Sequence, residues 1–437
     1  MVFMAGGVAD AVKTDDSLYD ELYDVKTEAL ETGNYIEVDP YPLMKAAQER
    51  GAVQKGFLRE VLGLPFWHRH RAVVEGGGER LQGYCVLTFA KAEEAFRDNA
   101  RLSNKIYKMT PGDEKFLGIL EMDNPEHFAH RKAAQSLFIK PRAVGLWRDR
   151  WINGIVEAIV EKLKSQDRAE LNMDLCARVP VHTISVAVGL RGEEALIFRK
   201  ALISTLSSRG GPESQMAAAA TVARMVTEQI ELRRKSPGED IISWLLAAEV
   251  DIPGEGSRHL TDGEIITFCR LLLLAGGGTT WRQMGILLFA LLDQRDRWEA
   301  VRADRKLLEP AIQESMRWNP NNPMFSRLAV EDTEIGGVAI PKGSVVDICL
   351  ASANRDPSRW DNPDEFDLFR KMQPHIGFGM GAHMCMGRNV AESEMFVALD
   401  ALMNEFPNMR IDPDQPAPFL TGGLEQRGIS SMHVLLK

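Results

Sequence analysis

One ten-residue stretch, Phe378-Gly-Met-Gly-Ala-His-Met-Cys-Met-Gly387, sets a single cysteine among glycines at 379, 381 and 387. Glycine is needed where backbone turns tightly or approaches a flat object closely. A tight loop can also aim backbone N–H groups at the Cys385 sulfur and temper the charge of a metal-bound thiolate. The residues after it, 386–404, read as a helix, whose N-terminus further favours a thiolate. These features suit a cysteine that ligates a metal, haem iron included. Two other readings stay open on the same residues. One is a buried structural cysteine in a glycine-rich turn. The other is half of a zinc site with His383, which would need two further ligands at recognisable spacing.

Three more groups carry chemistry. Glu314 and Arg317 stand three residues apart in a helical stretch, so they share a face; alone, that spacing equally describes a surface ion pair. Ala275-Gly-Gly-Gly-Thr-Thr280 lies inside a long helical pattern, where each glycine costs roughly 1 kcal/mol relative to alanine. Close packing against another helix would explain the run. So would a bound group passing too near for any Cβ, with the helix bulging to admit a small ligand. His127-Phe-Ala-His-Arg131 follows Asp123-Asn-Pro-Glu126. As a metal site, His127 and His130 lack a third ligand, and exposed polar residues of a helix are the plain alternative.

The elements that must position these groups are mostly helical. Periodicity predicts helices over 42–50, 91–99, 126–136, 147–164, 177–188, 193–207, 216–235 and 240–249, with a strand over 81–89. Ser236-Pro237-Gly238 is a stop signal. Thr261-Asp-Gly-Glu264 is a capping box that opens the longest helix, 262–294. At about 1.5 Å per residue it spans roughly 50 Å, enough to cross the molecule. Residues 307–318 form a helix stopped by Asn319-Pro320, and 333–350 read as short strands broken at Gly336-Gly337 and Pro341-Lys-Gly343. The fold class is mainly α with a small β part. No strand leads through a glycine-rich turn into a helix, which argues against a dinucleotide fold.

Composition sets the frame. The chain has 437 residues, 45% hydrophobic and 26% charged, as suits a large buried core. A net charge of -10 argues against nucleic acid as the main partner. Five cysteines without short paired spacing fit reduced thiols in a cytoplasmic protein. The first residues lack a signal-peptide pattern, and the longest apolar run, 286–292, is too short for a membrane span. No linker or repeat marks a boundary, so 1–437 reads as one domain, with 1–40 loosely ordered.

The cysteine stretch, with Ala391 four residues beyond Gly387, resembles the haem-binding signature of the cytochrome P450 family. The resemblance, which runs from about Pro42 onward, implies that fold, with haem b (iron protoporphyrin IX) between the long central helix and the helix of the cysteine loop. It implies Cys385 as the axial iron ligand and His383, His127, Arg131 and Arg327 as partners of the haem propionates. Carboxylates at the edge of a buried macrocycle need such cationic partners. Phe378, Gly379, Gly387, Ala275 and Gly276 would border the haem. Glu314 and Arg317 resemble the family's structural Glu–Arg pair. The third partner of that pair usually comes from a Pro-x-Arg-Phe segment, but here Pro363-Asp-Glu-Phe366 puts Glu365 at the arginine position. Residues 353–367 resemble the family's meander.

Residues 275–280 are similar to the family's oxygen-binding groove, with Thr279 as the alcohol that hydrogen-bonds dioxygen. The family usually carries Asp or Glu before that threonine, and this chain has Gly278. Water, or an acid from elsewhere, must then deliver protons. By positional analogy, Ile106, Tyr107, Met109, Leu271, Leu274, Pro323, Met324, Phe325 and Gln426 would line an apolar substrate pocket. The plain alternative for these positions is core.

The implied activity is monooxygenation of a small or medium hydrophobic substrate, by hydroxylation or oxidative demethylation. Electrons would come from a separate ferredoxin with an NAD(P)H-dependent reductase. Arg131, Lys132, Lys140, Arg142, Lys371 and Arg388 would offer that acidic partner a docking face, or would be ordinary solvated charges. Two rivals are a peroxide-driven haem peroxygenase, which Gly278 favours and Thr279 disfavours, and a haem-binding sensor or carrier without turnover.

Overall fold

The computed structural model describes residues 12, 14, 19, 22–65, 81–109, 118–206, 211–254 and 256–437. Its helices include α1 (Val25–Glu31), α2 (Pro40–Arg50), α3 (Phe89–Arg97), α4 (Glu126–Gln135), α5 (Asn153–Lys164), α6 (Arg178–Ala187), α7 (Glu193–Leu206), α8 (Gly211–Lys235), α9 (Ile241–Ala247), α10 (Asp262–Leu292), α11 (Arg295–Ala303), α12 (Leu308–Trp318) and α13 (Arg388–Glu405). A five-stranded sheet takes β1 (Val53–Lys55), β2 (Gly83–Val86), β3 (Leu102–Ser103), β4 (Met324–Ala329) and β5 (Val345–Cys349) in the order β1-β2-β5-β4-β3. Only the β2–β5 pairing is parallel.

α10 is the axis of the molecule. The Thr261 hydroxyl accepts from the Glu264 N–H, and the Glu264 carboxylate accepts from the Thr261 N–H, so the expected capping box is formed. From Phe268 onward most of its side chains are buried, among them Trp281, Met284 and Leu288, because α6, α12 and α13 surround it. A helix apolar on all sides belongs inside a protein.

Several sequence expectations shift. The strand expected over 81–89 ends at Val86, and Phe89 opens α3 because its N–H donates to Asp356 Oδ2 (2.8 Å). The helix expected over 240–249 stops at Ala247. Glu249–Ile252 instead pairs with Gly256–His259, as its polar–apolar alternation suits. The segment expected as one helix over 147–164 begins earlier, with π winding over Ala143–Ile152 that passes into α5. No bulge interrupts α10 at its glycines. Of residues 1–40, expected to be loose, most of 1–21 lie outside the described residues; the described ones include α1 and the buried Tyr19 and Tyr23 of the main core.

Among the described residues, no helix is long and apolar enough to cross a membrane.

Candidate active site

Cys385 lies in the loop between the sheet side of the molecule and α13. Its backbone N–H donates to the Phe378 carbonyl (2.9 Å), which closes the loop. Gly379 and Gly381 adopt φ of 70° and 74° there. A Cβ at Gly381 would lie 2.3 Å from the Phe96 carbonyl oxygen, so only glycine fits that crossing of α3. At Gly379 and Gly387 a Cβ would meet nothing within 4 Å. Of the five cysteines, four are buried and Cys385 is exposed. Desolvation by the surrounding protein nonetheless raises its thiol. The N–H groups of Gly387 and Arg388, and the Arg131 guanidinium, act in the opposite direction. A thiolate ligand needs those donors.

Beside the loop, four cationic or imidazole side chains converge from three elements. His127 and Arg131 come from α4, Arg327 from β4 and His383 from the loop itself. The His127 and His383 rings lie 3.9 Å apart. Arg131 Nη2 donates to the Met384 carbonyl (2.7 Å), tying α4 to the loop. Burial, then the neighbouring positive charges, bring His127 down to about 4 and His383 to about 3. Arg327 is buried and lowered by desolvation, its Nη1 on the Ser326 carbonyl (2.8 Å). Asp123, the carboxylate that bears on both His127 and Arg327, is itself held by Ser103 Oγ (2.6 Å) and the Asn104 N–H (3.1 Å). His127 Nε2 is buried without a hydrogen-bond partner. A crowd of donors around an unpartnered nitrogen suits the carboxylate edge of a haem, and the Cys385 sulfur with its N–H donors suits the iron. His130 takes no part, because its Nε2 is bound to Glu264 (2.8 Å). No cluster of three potential metal ligands occurs among the described residues.

The centre of α10 has two sides. Ala275 is exposed and Leu271, Leu274 and Thr279 are half-buried, so this stripe faces open space inside the fold. Thr279 Oγ donates to the Ala275 carbonyl (2.8 Å). Gly276 turns away from that stripe, and a Cβ there would stand 3.0 Å from Ile184 of α6. Helix packing therefore accounts for this glycine. Phe378 lies near the Arg388 guanidinium, 5.4 Å from its ring centre.

Of the other pocket candidates, Ile106 packs with Phe57 and Val345, with Tyr107 against that cluster. Phe325 packs on the sheet's other cluster, and Met324, one residue earlier on the opposite face of β4, sits in a core with Met44 and Cys349. Met324 is thus core, as is the buried Pro323. Gln426 is half-buried in the turn between Leu420–Gly422 and Arg427–Ile429. The side chain of Met109 lies outside the described residues.

The Glu314–Arg317 pair is buried and joined by two 2.8 Å hydrogen bonds, which excludes a surface ion pair. Its third member is Arg370, whose Nε donates to Glu314 Oε1 (3.0 Å). Glu365 contributes only its backbone carbonyl, to Arg317 (2.8 Å). The proposed docking side chains Lys132, Lys140, Arg142 and Lys371 are exposed, while Arg388 pairs with Glu392 (2.7 Å).

Sequence reading missed Glu394 on α13, a buried carboxyl bonded by the Thr183 and Thr280 hydroxyls. Burial pushes it up to about 8. An acid raised above its unfolded value stabilises the fold at low pH, and that contribution is lost as pH climbs toward the folded value. Urea unfolding should therefore show wild type losing more stability than Glu394→Gln between about pH 5 and about pH 8. Equal pH slopes for the two proteins would refute this.

The family model described as Cytochrome P450 matches residues 197–427. Nocardicin C N-oxygenase of Nocardia uniformis is 32% identical over 77% of this chain and 82% of its own length. Cytochrome P450 107B1 of Saccharopolyspora erythraea is 34% identical, covering 69% of this chain and 73% of the relative. Among solved structures, the cytochrome P450 enzyme CYP109B1 from Bacillus subtilis superposes with a TM-score of 0.73 at 27% identity, over 91% of this chain and 99% of that one.

Proposed function

Because the chain belongs to the cytochrome P450 family of oxidoreductases, we propose that it is a haem-thiolate monooxygenase of a small or medium hydrophobic substrate, served by a separate ferredoxin and an NAD(P)H-dependent reductase. One observation carries the reading: Cys385, with the Gly387 and Arg388 N–H groups on its sulfur, stands beside His127, Arg131, Arg327 and His383. Bound there as haem b, the cofactor would supply activation of dioxygen, so that one oxygen atom enters the substrate and the other leaves as water.

The protein's own part is positioning. Cys385 would hold the iron, and the four-residue cationic cluster would bind the propionates, His127 Nε2 gaining the partner it lacks. Phe378, Gly379, Gly387 and Ala275 would border the macrocycle. The Thr279 hydroxyl spends its proton on the Ala275 carbonyl, so its lone pairs are free to accept one. Gly278 offers no acid beside it. Leu271, Leu274, Ile106, Tyr107 and Phe325 would exclude water around an apolar substrate. The exposed Lys132, Lys140, Arg142 and Lys371 suit an acidic electron donor. We read 1–437 as one cytoplasmic catalytic domain.

The test is turnover under isotopically labelled dioxygen with ferredoxin, reductase and NAD(P)H, against hydrogen peroxide alone. One labelled atom in the product is expected with the full electron chain. Product from peroxide but none from dioxygen would move the protein to the peroxygenases. No product, with no spectral change on binding any substrate, would leave a carrier.

A further inference from the structure

Two buried arginines reach the glycine centre of α10. Arg199 of α7 donates through Nη1 to the Gly277 carbonyl (3.0 Å), and Arg282 donates through Nη1 to the Gly278 carbonyl. One carboxylate joins them. Glu28 Oε1 accepts from Arg199 Nη2 (3.1 Å) and Glu28 Oε2 from Arg282 Nη2. Glu28 arrives on α1; just before that helix, the Tyr23 ring lies 3.9 Å from the Arg199 guanidinium and edge-on to Trp281. Arg199 and Arg282 are 7% and 2% exposed, whereas the Glu28 side chain keeps 18% contact with solvent.

The glycines show why the carboxylate comes from so far away. A Cβ at Gly277 or Gly278 would stand 4.0 or 3.9 Å from Arg199 Nη1. An acid at 278 would thus face this guanidinium, the place that Glu28 serves from another segment. Without a carboxylate the two buried guanidinium groups would oppose each other across one helical turn. The turn they brace is weak in itself, since each glycine costs about 1 kcal/mol in helix stability.

Building on the monooxygenase reading, we propose that Glu28 is the positioning carboxylate for proton delivery to the Thr279 turn, replacing the acid absent at 278. It holds Arg199 and Arg282 on the Gly277 and Gly278 carbonyls and connects that turn to solvent. Each turnover takes one substrate C–H, one dioxygen, two electrons from the donor protein and two protons from water, and yields one alcohol and one water. The protons enter from solvent; Glu28 and the two guanidinium groups, which do not themselves relay protons, hold in place the turn that carries the Thr279 hydroxyl.

The experiment uses full-length holoenzyme carrying Glu28→Gln. Product formed per NAD(P)H consumed should fall at least about tenfold, less than the roughly 10²–10⁴-fold of a direct general acid because Glu28 acts through Arg199 and Arg282. Peroxide-driven turnover should stay within about twofold, because peroxide brings its own protons. The thiolate-type carbon monoxide band should be unchanged, and the amides of residues 279–282 should exchange hydrogen faster. Adding Gly278→Asp to the Glu28→Gln protein should restore coupling, since that Cβ faces Arg199. Unchanged coupling in Glu28→Gln overturns the proposal. So does an equal fall of dioxygen- and peroxide-driven turnover, which marks a purely structural role. If Glu28→Gln does not fold, the double variant decides: folded but uncoupled protein overturns it. A wild-type protein without the carbon monoxide band would instead refute the underlying haem-thiolate reading.

Discussion

A Cys385→Ala protein should fold, give no thiolate-type absorption when reduced under carbon monoxide, and show dioxygen-dependent turnover below detection. Folding should survive because the bond that closes the loop, from the residue 385 N–H to the Phe378 carbonyl (2.9 Å), is made by backbone and remains in alanine. The sulfur packs into no core cluster, so its loss opens no cavity. No other cysteine can stand in. Cys85, Cys176, Cys269 and Cys349 are buried, and desolvation raises every one of their thiols, Cys349 up to about 12. Buried structural thiols of this kind are inert, and none of the four lies in the cysteine loop. The same band, at the same intensity, in the alanine protein would end the account of this site.

Glu314→Ala should be among the most destabilising single substitutions, at about 3–5 kcal/mol, because it strands the buried Arg317 guanidinium and the half-buried Arg370. Glu314 Oε1 alone accepts from Arg317 Nη2 (2.8 Å), Arg370 Nε (3.0 Å) and the Asp367 N–H (3.0 Å). Arg317 meanwhile donates to the carbonyls of Asn354, Pro363 and Glu365, so the network fastens α12 to the segment that leads into the cysteine loop. The control is Glu365→Ala. Its side chain is exposed and only its backbone is used, so unfolding free energy should move by less than about 0.5 kcal/mol. Equal effects of the two substitutions in urea unfolding would mean that the triad is not what holds this segment. Because haem binding would follow the fold, the Glu314 protein should also lose haem on mild heating before wild type does.

Arg370 illustrates what a linear reading misses. The family pattern pointed to position 365, where a glutamate stands, and the guanidinium that completes the triad comes from five residues further along. The meander folds back on itself there, with Arg370 also binding the Asp361 and Asn362 carbonyls. Spacing in an irregular segment carries no such information. Glu28 is a stronger case: nothing in its neighbourhood marks it as a partner of residues 199 and 282.

By itself the sequence determined whatever depends on neighbours within a few positions. The capping box at Thr261 and the long helix it opens follow from local hydrogen bonding and periodicity. So do the glycine turn that only a residue without Cβ can make beside Phe96 and the helix start behind Cys385. Tertiary structure alone decided which charges meet, that Gly276 packs on Ile184, that Met324 is buried in one core cluster while Phe325 lies half-buried against another, and that a carboxylate from α1 reaches the middle of α10. The physical reason is range. Backbone geometry acts over one helical turn, whereas burial and ion pairing act through space, between residues whose separation along the chain says nothing about their distance.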